Sequence, residues 1–267
     1  MNNYQKGVFE NSVSEHVTQL VRKLKFFHFT DVRNILSISE LGLLSVEELR
    51  RIGVTPIKFD HSRHDQQFAP EGPICVSVGH PSPGLLRASN MERQFVILEL
   101  DANFYFEAPR VIVCPTNAAS DEISSVLLDV DLNEFNVRPT SNSVLYNPNS
   151  ILGFFVNPFP IKWNSGAEGD HERDQSKASK LFPNDPQSEL LLSPRIAPSH
   201  ISKVICRSDA VVNIVNQLAP ELADKCSVNE RLFLPRPDLK NWREKVIDAR
   251  RIVRILETDL KLPKLTR

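Results

Sequence analysis

Glycine is scarce in this chain. There are nine among 267 residues, and none falls into a G-x-G-x-x-G or G-x-x-x-x-G-K-[ST] pattern. Both glycine-built phosphate cradles are therefore excluded. Four cysteines, Cys75, Cys114, Cys206 and Cys226, form no C-x-x-C pair, which argues against a zinc ribbon. The H-E-x-x-H and G-x-S-x-G patterns are missing too. An excess of one charge is also lacking: 32 Lys and Arg face 33 Asp and Glu, for a net charge of -1. A protein that coats duplex DNA carries a large basic excess. Any nucleic-acid contact here is expected to be local and brief, as in an enzyme. No apolar run nears the roughly 20 residues that span a bilayer, and Met1 to Asn11 is polar. The expectation is a reduced, cytoplasmic protein with no membrane partner.

Proline is plentiful, at nineteen residues, and predicts many fixed turns and short strands. The helical spacing of Val13, Val17, Leu20, Val21 and Leu24 predicts a leading helix over 12–24. Residues 25–30 read as a short strand, with Phe27 and Phe29 on one face. A helix capped by Thr30 or Asp31 follows and ends at Gly42, and Ser45-Val46-Glu47-Glu48 fits a capping box for a second. Short apolar runs predict strands at 74–78, 95–100, 111–114 and 151–156, then at 187–192 and 201–206. From Asp238 onward the chain reads as one long basic helix. The mixture of helices and short strands is α+β. Residues 163–187 are polar and form the longest predicted loop, of the kind that is functional or disordered in a compact domain.

Three places could carry chemistry. His28-Phe29-Thr30 sets an imidazole at a strand end before a helix, where it could donate to a ribose hydroxyl. The plainer reading is a histidine in a half-buried strand. Asp60 to Asp65 holds His61 and His64 at metal-ligand spacing, yet no further His or Cys stands nearby. A nucleotide contact or a solvated loop fits better, and no metal is expected. Gln187-Ser188-Glu189 brings a carboxylate to the mouth of an apolar strand. There it could stabilise positive charge developing on a sugar. The plainer reading is a charge protecting an edge strand.

The three places together resemble one family. His28-Phe29-Thr30 followed by Leu41-Gly42-Leu43-Leu44, then Asn117-Ala118-Ala119-Ser120, then Gln187-Ser188-Glu189-Leu190-Leu191 resemble, in order, the segments of DarT-type ADP-ribosyltransferases. Asp60 to Asp65 and Cys75 to Pro81 look more like the guanine-modifying branch. The chain departs from the thymine branch in having no F-x-P-R arginine: the matching stretch reads Gly79-His80-Pro81-Ser82-Pro83-Gly84, and the next arginine is Arg87. The P-N-Y-K of the guanine branch is not matched either.

The resemblance implies split mixed β-sheets around an NAD cleft, with flanking helices. It implies a catalytic core at 26–207, an N-terminal helical extension at 1–25 and a C-terminal helical segment at 208–267 packed on the core. It implies transfer of ADP-ribose from NAD to a base in single-stranded DNA. RNA as acceptor in phage defence, protein as acceptor, or a non-catalytic module of the same fold are the alternatives. Glu189 and His28 would be catalytic. His28, Phe29, Thr30, Gly42, Leu43, Ser77 and Arg87 would bind NAD. Trp163, Phe182, His61 and His64 would meet the acceptor. Such a toxin implies an antitoxin, either a macrodomain hydrolase or a direct neutraliser.

Overall fold

The computed structural model describes residues 13–54, 72–81, 94–118, 128–131, 136–139, 142–155, 181–234, 236, 249–262 and 265–266. Helix α1 (Glu15–Val21) is shorter than the predicted span and starts at Ser14, whose hydroxyl accepts from the Val17 N–H. It lays Val17 and Val21 on the core. Strand β1 (Phe26–Asp31) leads through a 3-10 turn, capped by the Asp31 carboxylate, into α2 (Ile35–Leu41). Gly42 closes α2 at φ 81° and opens β2 (Leu43–Leu44). The predicted capping box forms: the Ser45 side chain accepts from the Glu48 N–H at the head of α3 (Val46–Arg51).

Strands β3 (Ile74–Val78) and β4 (Phe95–Leu100), helix α4 (Asn103–Glu107) and strand β5 (Arg110–Cys114) follow. The short β6 (Leu128–Asp131), β7 (Asn136–Pro139) and β8 (Asn142–Ser143) come next. Beyond them lie β9 (Glu189–Ser193), β10 (Arg195–Ile196), β11 (Ile201–Cys206), α5 (Asp209–Leu218) and β12 (Cys226–Val228). Helix α6 (Ala249–Thr258) and β13 (Leu265–Thr266) complete the described elements.

The strand predicted at 151–156 is corrected: Pro148–Phe154 is a 3-10 helix. Pro148 sits in its first turn and the Asn147 side chain caps it by accepting from the Asn149 N–H. Six of its seven residues are buried, and a fully buried helix shows the same continuous apolar run as a central strand. Of the long helix expected from Asp238, residues 249–258 are described and are helical, whereas 237–248 lie outside the described residues.

Seven strands form the main sheet in the order β12-β11-β4-β1-β3-β9-β5. The β11–β12 pair is parallel and the rest are antiparallel. The sheet is mixed, and the fold is α+β as expected. One joint is narrow. β1 pairs with β4 at six positions, but with β3 only at Phe26↔Val78 and Phe27↔Ser77. Beyond Phe27 the pairing of β1 with β3 stops, so the split anticipated for the sheet lies at this seam.

One face of the sheet carries the largest core cluster, including Phe26, Val76, Leu98, Val113 and Leu190. The other carries two smaller clusters. One is built on Phe27, Phe29, Phe95 and Ile97. The other joins Ile112, Cys114 and Leu191 to Ile252 and Leu256 of α6. Among the described residues no helix is long and apolar enough to cross a membrane.

Candidate active site

His28 stands one residue past the last pair that closes the seam. Its Nδ1 lies 2.9 Å from the Cys75 carbonyl on β3, so the imidazole bridges the split. A carbonyl only accepts, so Nδ1 carries the proton and donates it. Burial pushes the His28 pKa below its ordinary 6.5, against the smaller opposing effect of the Cys75 bond. The neutral ring therefore presents Nε2 as an acceptor.

On the same strand face as His28, two residues on, Thr30 is buried and its hydroxyl oxygen accepts from the Asn34 amide at 3.1 Å. His28, Thr30, Asn34 and Ser37 give the polar edge of a cavity of about 130 Å³. Ile38, Leu41, Gly42, Leu43, Leu44, Leu49 and Val54 supply the rest. Gly42 is required there. A Cβ at this residue would stand 2.1 Å from the Ile196 carbonyl oxygen, at a φ of +81° that side chains rarely adopt. That close approach lets β2 pair with β10, with Leu43 opposite Ile196, and so walls the cavity.

Four of the residues proposed for NAD thus converge: His28, Thr30, Gly42 and Leu43. Phe29 does not join them. Alternation turns its side chain to the opposite face, where it stacks on Phe95 with centroids 4.5 Å apart. Ser77 also lies away from the cavity. It is buried at the seam, paired with Phe27 on one side and Glu189 on the other.

Glu189 opens β9, an interior strand flanked by β3 and β5, which removes the edge-strand reading of this carboxylate. Its register partners are Ser77 and Cys114. Its Oε1 accepts from the Ala118 N–H at 2.6 Å. Just upstream, the buried Ser188 hydroxyl donates to the Pro115 carbonyl at 2.8 Å. Two strand spacings separate β1 from β9, roughly 10 Å. The register carries Glu189 to Phe27's side of the sheet, so His28 and Glu189 flank the seam from opposite faces.

Phe182, named for the acceptor, is partly exposed. Its ring packs against Gly79, where a Cβ would meet it at 3.0 Å, and against His80, with the Arg236 guanidinium 5.4 Å from its centroid. Arg87, Trp163, His61 and His64 lie outside the described residues. Among the described residues no group of three or more His, Cys, Asp or Glu side chains is placed to hold a metal ion. Sequence reasoning gave no role to Asn34, Ser37 or the Ala118 amide. The first two were legible as the polar positions of the α2 turn following the strand. The Ala118 amide has no side-chain signature.

The mixed sheet with its flanking helices has the fold of solved DarT-type structures. In structure the chain is similar to Thermosipho africanus DarTG in complex with ADP-ribose, with TM-score 0.50 and 15% identity over 79% of this chain. It spans about half of that protein, 52%. It is also similar to Thermus sp. 2.9 DarT in complex with ADP-ribosylated ssDNA, with TM-score 0.48, 12% identity and coverage of 79% and 96%. The same DarT in complex with NAD+ gives TM-score 0.45 and 12% identity, covering 79% and 97%. No protein-family model matches the chain, and no curated protein matches it in sequence.

Proposed function

We propose that this chain transfers ADP-ribose from NAD to a base of single-stranded DNA, with guanine as acceptor. The observations that carry the reading are a neutral His28 that presents an acceptor over a cavity and, on the other face of the seam, a Glu189 carboxylate oriented by the Ala118 amide. The cavity combines an apolar bed with hydroxyl and amide groups, and Gly42 leaves room that a Cβ would take. That chemistry suits a nucleoside. His28 would accept a hydrogen bond from a ribose hydroxyl through Nε2, and Thr30 and Asn34 would hold the neighbouring polar groups.

In the reaction the ribose C1–nicotinamide bond breaks with both electrons leaving on nicotinamide. A ring or exocyclic nitrogen of the base forms the new bond to C1. Glu189 would stabilise the positive charge developing on the sugar and take the proton that the base nitrogen loses. A base paired in a duplex hides that nitrogen, hence the single strand. The solved DarT structures hold ADP-ribose, NAD+ and ADP-ribosylated ssDNA. That likeness in fold supports the reading, as does the resemblance of Cys75 to Pro81 to the guanine branch. The proposal includes a cytoplasmic toxin role with a macrodomain or neutralising antitoxin.

The test is transfer of label from NAD to a mixture of single-stranded DNA, RNA and cell protein. Label released by DNase alone is expected. Label released only by RNase supports the RNA reading, and label released only by protease defeats both.

A further inference from the structure

We propose that Arg236 is a positioning residue for Glu189, a buried guanidinium that clamps the chain entering β9 and so fixes where the carboxylate meets the acceptor. The inference rests on the transfer reaction proposed above. Arg236 is 2% exposed. Burying a cation is costly unless its donors are satisfied, and an apolar side chain of similar volume would fill such a place without that cost. Two of its donors reach backbone. Nη1 donates to the Pro183 carbonyl at 2.9 Å and Nη2 towards the Asn184 carbonyl at 3.4 Å. The same guanidinium lies over the Phe182 ring. One side chain thus holds three consecutive residues.

From there a series of local hydrogen bonds follows the chain towards the site. The Asn184 N–H donates to the Phe154 carbonyl at 2.7 Å. The Asp185 carboxylate accepts from the Gln187 N–H at 2.6 Å, and the Asp185 carbonyl accepts from the Ser188 N–H. Ser188 then ties this segment to Pro115, three residues before the amide that grips Glu189. The clamp therefore bears on both ends of the Glu189–Ala118 bond. Arg236 comes from the part of the chain outside the DarT-like motifs.

The experiment compares wild type with Arg236→Met, Arg236→Lys and Phe182→Leu, in the full chain. Hydrogen exchange at the Ala118 amide reads the placement of Glu189 directly. NAD titration and the rate of transfer to single-stranded DNA read the two halves of the reaction. Arg236→Met is expected to speed Ala118 exchange and lower kcat by on the order of tenfold to a hundredfold, with NAD affinity within about twofold of wild type. Arg236→Lys should recover part of that loss, because it can still donate to one carbonyl. Phe182→Leu keeps the two hydrogen bonds and should show a smaller change in the same direction. If Arg236→Met does not fold, Arg236→Lys decides the matter, since it drops one of the two hydrogen bonds and leaves Phe182 in place. Unchanged Ala118 exchange in these variants, or NAD affinity falling in step with kcat, overturns the clamp. A wild-type protein that neither binds nor consumes NAD defeats the proposed transfer instead, and Ala118 exchange still scores the clamp.

Discussion

On the β1 side of the seam, the groups that meet are close in sequence: His28, Thr30, Asn34, Ser37 and Gly42 span one strand, one turn and one helix. On the β9 side they are remote. Glu189 is held by Ala118, Ser188 by Pro115, and the incoming chain by Phe154 and Arg236. The first side is a local structure built on one tight turn, tied to the rest of the chain through the Cys75 carbonyl and the β2–β10 pair. The second is a keystone, where several distant segments must arrive before the carboxylate has a direction. This difference predicts different failures. Damage to the β1 side should reach substrate binding or the fold around one turn. Damage to the β9 side should reach turnover while binding survives.

The largest expected effect is on the β9 side. Glu189→Gln keeps an oxygen for the Ala118 N–H but removes the negative charge. Transfer should fall by about a hundredfold or more with the fold intact. Steady-state transfer with the purified variant checks this, and a rate near wild type would remove Glu189 from the site. Next comes Gly42→Ala. A Cβ 2.1 Å from the Ile196 oxygen, at φ +81°, forces β2 and β10 apart. The expected loss is about 3 kcal/mol of stability, read from the urea midpoint. Stability within error of wild type would show that the turn yields freely and does not shape the cavity.

His28→Ala should weaken NAD binding by about tenfold, or about 1.4 kcal/mol, leaving the choice of base unchanged. Calorimetric titration decides. The same histidine gives a pH signature. The folded state holds it neutral below its ordinary pKa of 6.5, so between that value and the lowered one the unfolded chain binds the extra proton. Its contribution to stability is full above about pH 6.5 and declines as pH falls through the lowered folded value. Urea midpoints across that range should slope in wild type and flatten in His28→Gln. Phe29→Leu is the smallest expected change. It removes the stack on Phe95 and should cost about 1 kcal/mol of stability while leaving NAD affinity unchanged. Weakened NAD binding would return Phe29 to the cavity.

The contrast between the two sides also explains what could be read in advance. Alternation along 26–31, the Ser45 cap and the glycine ending α2 are written in neighbouring residues, so β1, α2 and α3 were legible in sequence, and four of the eleven cavity residues were named through the family resemblance. Phe29 was grouped with His28 because they are adjacent in sequence. Yet the period of two that defines the strand separates them. The run at 151–156 reads as a strand because burial on all sides erases periodicity, and the decisive feature is a proline and an asparagine cap upstream of it. Glu189 was legible as a carboxylate at a loop–strand junction. Its support was not, because a backbone amide at Ala118 and an arginine 47 positions downstream leave no local pattern. The guanidinium over the Phe182 ring is hidden for the same reason: nothing near Phe182 in sequence announces it.

Mass spectrometry of the nucleosides released from a single-stranded DNA oligonucleotide, after incubation with NAD and the purified chain, tests the central claim most directly. The account predicts deoxyguanosine carrying ADP-ribose with wild type, and none with Glu189→Gln. Unmodified nucleosides with wild type, while nicotinamide and free ADP-ribose accumulate, would contradict it, since the protein would then be a hydrolase of NAD and not a transferase to DNA.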